Sequence, residues 1–190
     1  MPTEIRLLID SREPFAAGVP FGEVGPYERL TGRVGFAVDP SSPFYAGVVD
    51  LPHAPVNAAG RVEYETTFAL LKPVDLARGN RRMIFDVVNR GDKRLVQFFN
   101  DAPHSNALDG PEDAGNGFLM RRGYTVLWCG WQGDVLAGND RMTMRLPIPV
   151  GDAGPITGRV RAELIVDEPG VRSLPFSGNA YTRSYPTASL

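Results

Sequence analysis

The sequence is poor in cysteine, histidine and lysine, and it has no long apolar run. Cys129 is the single cysteine, which excludes an internal disulfide and a cysteine-rich metal centre. Set between Trp128 and Gly130 at the end of an apolar stretch, it reads as a small core residue rather than a nucleophile. His53 and His104 are the only histidines. His53 is hemmed by Pro52 and Pro55, and His104 adjoins Ser105, so an extended chain turns that pair to opposite sides instead of into base-to-nucleophile contact. Both read as surface-loop residues. Lysine occurs only at Lys72 and Lys93, the arginines are dispersed, and the formal charge is −2, so the electrostatic footprint of a nucleic-acid or anionic-membrane binder is missing. No apolar run approaches the roughly 18 residues of a membrane span. Met1-Pro2-Thr3-Glu4 opens without the basic and apolar regions of a secretory signal, so the expected location is the cytoplasm. No cofactor is expected.

Glycine and proline, by contrast, are plentiful at 21 and 17, and they are spread through the chain, which favours many short strands joined by turns over long helices. Residues 5–9 form an apolar run that reads as a strand ending before Pro14, and 15–26 read as loop. Tyr27, Leu30, Val34, Phe36 and Val38 predict a half-buried strand over 27–38. A short strand is expected over 47–51. Residues 61–71 alternate most cleanly, with Val62, Tyr64, Thr66, Phe68 and Leu70 on one face. Residues 82–88 and 124–131 are nearly continuous apolar runs, the pattern of strands covered on both faces in the middle of a sheet. Between them, Leu95, Val96, Phe98 and Phe99 suggest a helical turn, and 114–122 a helix stopped by Gly123. Two such strands with a helical crossover make a βαβ unit. Residues 141–150 and 156–166 alternate and read as a hairpin or neighbouring strands, with an edge strand over 171–176. The expected fold is thus α/β to α+β, a β-rich mixed sheet with one βαβ crossover and extra antiparallel strands. One domain is expected over 1–176, followed by a polar tail over 177–190 that reads as cut in mid-domain.

The βαβ block carries the chemistry. Asn89-Arg90-Gly91-Asp92 leaves the carboxyl end of a strand, where open α/β sheets receive ligands. Gly91 would let backbone N–H groups approach a developing oxyanion, with Asn89 or Arg90 adding a side-chain donor; a tight turn that merely needs glycine is the plainer alternative. Trp128, Trp131 and Gln132, at the end of the later strand, are pocket candidates, with core packing as the alternative. Asp101, Asp109, Glu112 and Asp113 could offer oxygen ligands to a hard cation, but no EF-hand spacing is present and acidic loops are usually just solvated.

Several stretches together resemble the N-terminal region of a bacterial alpha/beta-hydrolase-domain family: Asp86-Val87-Val88-Asn89-Arg90-Gly91-Asp92-Lys93, Phe99-Asn100-Asp101-Ala102-Pro103, 115–126 and Trp128-Cys129-Gly130-Trp131-Gln132-Gly133-Asp134. Ser11-Arg12-Glu13-Pro14-Phe15 and Gly25-Pro26-Tyr27-Glu28 extend the likeness over nearly the whole chain. The helix, Arg-Gly-Tyr and apolar-strand block also looks like the third and fourth sheet strands of hydrolases broadly, the cocaine-esterase-like group included. The resemblance implies a partial alpha/beta-hydrolase fold, an oxyanion loop at Asn89-Arg90-Gly91, and a small-molecule ester or amide substrate. It also implies a serine on a later Gly-x-Ser-x-Gly elbow, followed by the acid and histidine. No serine of this chain has glycines at both minus two and plus two, so no catalytic residue is assigned. Two readings result: the N-terminal portion of a serine-type hydrolase, inactive alone, or a stand-alone β-rich binding module that kept the scaffold without the chemistry.

Overall fold

The computed structural model describes residues 3–156, 165, 168–175 and 184–186. Its centre is a mixed sheet built from β1 (Glu4–Pro14), β2 (Tyr27–Val38), β3 (Val62–Pro73), β4 (Met83–Val87), β5 (Thr125–Cys129) and β6 (Met144–Arg145). The strand order is β1-β2-β3-β5-β4, and β6 pairs with β3 beside the end of β5. β4 and β5 are parallel; the other pairs are antiparallel. The link from β4 to β5 carries α1 (Leu95–Asn100) and the single turn α2 (Phe118–Arg121), which is the expected βαβ crossover in a mixed, sheet-rich fold.

One face of the sheet is closed. Ala69, Leu71, Val126 and Trp128 point from β3 and β5 into a core completed by Phe15, Tyr27, Leu95, Val96, Leu119 and Met120. Polar groups inside this layer are bonded, as burial demands. The Tyr27 hydroxyl lies 3.1 Å from the Met120 carbonyl and 3.0 Å from that of Tyr124. Asn100, fully buried, donates to the Ala114 carbonyl at 2.9 Å and accepts from the Leu119 amide at 3.0 Å, tying both halves of the crossover together. The opposite face carries Ile5 and Leu7 from β1 and Met83, Phe85 and Val87 from β4, all exposed.

Several expectations need correction. The strand over 82–88 is not in the middle of the sheet: β4 ends the strand order, and Met83, Phe85 and Val87 are 58%, 52% and 62% exposed. An apolar run reports affinity for cover but does not supply the neighbour. β1 runs through to Pro14, past the point where a proline was expected to end it, with a register shift between Ile9 and Ser11. An edge position tolerates that proline because no partner needs its missing N–H. Residues 15–26 hold two 3-10 turns, and Phe15, Phe21 and Val24 in this stretch are core. Residues 47–51 form turns, not a strand. The helix expected over 114–122 is reduced to α2 behind a 3-10 turn at Pro111–Ala114, because Gly115 and Gly117 adopt left-handed backbone between them. Residues 141–150 do not form one long strand: β6 pairs with β3, and β7 (Val150–Gly151) turns directly back onto β8 (Gly154–Pro155). Most of 156–166 lies outside the described residues. β9 (Ser173–Pro175) pairs with β10 (Ser184–Pro186), so the region read as a tail contributes a strand.

Candidate functional site

The site is organised by a carboxylate that the apolar run of β4 carries among its hydrophobic residues. Asp86 faces the core, where its Oδ2 accepts from the Trp128 indole at 2.7 Å and from the Leu95 amide at 3.2 Å. It therefore joins β4 to β5 and to the start of α1. Past buried Val88 the chain reverses. Arg90 and Gly91 both adopt left-handed backbone, with φ of 56° and 84°, and Asn89 bridges to Asp92. A Cβ at position 91 would stand 2.7 Å from the Met142 carbonyl oxygen and 2.9 Å from the Arg141 Cβ, so only glycine fits.

Arg90 has no such freedom, and holding a non-glycine residue there costs about 1–3 kcal/mol unless the surroundings fix it. They do. The Arg90 amide donates to Gln132 Oε1 at 2.8 Å, and its guanidinium donates to both Asp134 oxygens at 2.9 Å each. The Trp131 indole closes the brace by donating to the Val88 carbonyl. The loop after β4 is thus clamped to the loop after β5, at the shared carboxyl end of the parallel pair.

The chain then enters a buried polar cluster. Asp92 accepts from Asn106 at 3.0 Å and lies 3.7 Å from the Arg141 guanidinium. Lys93 is 4% exposed; its ammonium donates to the carbonyls of Asn106 and Asp140, each at 2.6 Å, and burial pushes its pKa down to about 8. This cluster borders a cleft of about 290 Å³ between β2, β3 and the loops at 106–107 and 140–142.

Of the residues expected to matter, the structure brings Asn89, Arg90, Gly91, Trp131 and Gln132 into one assembly. Arg90 and Gln132 act there as braces, and the exposed Asn89 carboxamide is left as the loop's uncommitted polar side chain among the described residues. Trp128 does not line an open pocket: it is fully buried, and its indole is spent on Asp86. His53, at the end of a 3-10 turn, and His104 are both exposed. Asp113 caps its own turn by accepting from the Gly110 amide at 2.9 Å, and the described residues contain no group of three or more potential metal ligands. Cys129 is half-buried, which pushes its thiol pKa up and makes it a poor nucleophile.

No family model, curated protein or solved structure matches this chain. No helix among the described residues is long and apolar enough to cross a membrane. Sequence reasoning passed over Asp86 and Lys93. Asp86 was visible as the one charge inside an apolar strand, and Lys93 as one of two lysines in an arginine-rich chain.

Proposed function

We propose that this chain supplies the sheet centre and the oxyanion loop of a serine-type alpha/beta hydrolase, which in its full-length form cleaves a small-molecule ester or amide. The observation that carries this reading is the rigid reversal at Asn89-Arg90-Gly91, held at the carboxyl end of β4 where a parallel pair receives ligands. In such enzymes an N–H from the loop between an inner strand and its helix helps bind the tetrahedral oxyanion. Preorganised donors of this kind work because they need no rearrangement when charge develops. Clamping by Gln132 and Asp134 is the sort of support that preorganisation requires.

The edge of β4, which no strand among the described residues pairs, and its exposed apolar side chains also favour the reading, since a further strand bearing the nucleophile would fit beside them. Turnover of p-nitrophenyl butyrate tests it. This chain should be inert, whereas the product of the full reading frame should be active. In that product Asn89→Ala should lower kcat by about a hundredfold with little change in KM. A full reading frame without a Gly-x-Ser-x-Gly elbow would sink the proposal. So would turnover by this chain that one of its own serines abolishes.

A further inference from the structure

The cleft beside Lys93 holds a buried ammonium that the loop after β4 does not explain. Four cations line it: Arg29, Arg33, Lys93 and Arg141. Each arginine has a carboxylate nearby. Arg33 forks onto Asp10 with both contacts at 3.1 Å, Arg29 donates to Glu13 at 2.8 Å, and Arg141 lies 3.7 Å from Asp92. Lys93 differs: the carboxylates of Asp140 and Asp92 favour its charge without forming a salt bridge to it. Among the described residues its ammonium has no ion-pair partner, only the two neutral carbonyls, which leaves a third N–H uncommitted. Buried charges are ordinarily paired, because an unpaired one forfeits its hydration without compensation. The cleft next to this ammonium is a place where a counter-ion can enter, and Phe68, Ala69 and Met142 add apolar wall to it.

We propose that this cleft binds a small organic carboxylate with an apolar body, the carboxylate pairing with the Lys93 ammonium. The cleft's 290 Å³ accommodates a molecule of roughly the size of a benzoate or a short branched acid. The inference stands apart from the hydrolase reading, since it requires neither a nucleophile nor turnover. Binding is coupled to protonation. Lys93 is charged below about pH 8 and loses its proton above it. The groups acting on it are Asp140 and Asp92, which favour its charge, and Arg29, which opposes it; Arg33, Arg141 and Asp10 also line the cleft.

Calorimetry with benzoate, benzamide and inorganic phosphate as probes tests the site. At pH 7 benzoate should bind with a Kd of about 1 mM or tighter, at least about tenfold better than neutral benzamide. Its affinity should fall about tenfold per pH unit above pH 8, as one required proton is lost. Lys93→Met should abolish binding. Because that residue is buried, Arg33→Glu provides a second variant at a side chain 43% exposed; it reverses charge at the cleft and should weaken benzoate at least about tenfold with an unchanged circular dichroism spectrum. Equal affinity for benzoate and benzamide, or a benzoate affinity flat from pH 7 to pH 10, would overturn the proposal. Phosphate binding tighter than benzoate would overturn the carboxylate assignment.

Discussion

β4 and β5 are parallel neighbours of five residues each, both drawn from nearly continuous apolar runs, yet they end in opposite environments. β5 has β3 on one side and β4 on the other, and its Val126 and Trp128 are fully buried. Among the described residues β4 has only β5 as a neighbour, and Met83, Phe85 and Val87 are exposed on the face away from the core. The register makes the contrast sharp, because Asp86 sits opposite Trp128 and spends its carboxylate on that indole. A strand's composition states how much cover it would accept; its neighbours decide how much it receives.

The largest effect should come from β5. Trp128→Ala removes a fully buried indole and should cost about 3–5 kcal/mol in a denaturant titration, enough to abolish cooperative unfolding in a marginal fold. A loss below about 1 kcal/mol would mean that β5 is not the packed centre. The hinge between the two strands should show an intermediate effect. Asp86→Ala strands the Trp128 indole N–H and the Leu95 amide in a half-buried site, for about 2 kcal/mol, and Asp86→Asn should recover part of it because the carboxamide oxygen can still accept. Equal losses in the two variants would show that the carboxylate's charge matters more than its acceptor geometry. The smallest effect belongs to β4's bare face. Phe85→Thr should change stability by no more than about 0.5 kcal/mol while reducing self-association in sedimentation velocity. A loss above about 2 kcal/mol would reveal that something covers this face after all.

Alternation and apolar runs placed β2, β3, β4 and β5 to within a few residues, and the likeness of two buried-looking runs around helical segments pointed to the crossover. These features are local, set by side-chain periodicity against a pleated backbone. Residues 47–51 misled because Val48 and Val49 look strand-like, whereas neighbouring turns at Pro43–Tyr45 and Leu51–His53 leave no room to pair. Asn89-Arg90-Gly91 was legible as a glycine-bearing loop after a strand. That Arg90 is a brace rather than a free donor was not, since Asp134 and Gln132 reach it from more than forty residues away.

By itself the sequence determined the strands' periods, the glycine that the reversal at position 91 demands, and the lack of a flanked serine elbow, because each depends on residues adjacent along the chain. Only the tertiary structure decided which apolar run became the edge, which tryptophan packed inside, and where the Lys93 ammonium was buried against two backbone carbonyls. Those outcomes depend on which distant segments meet, and the free energy of a buried group is set by the neighbours it finds there.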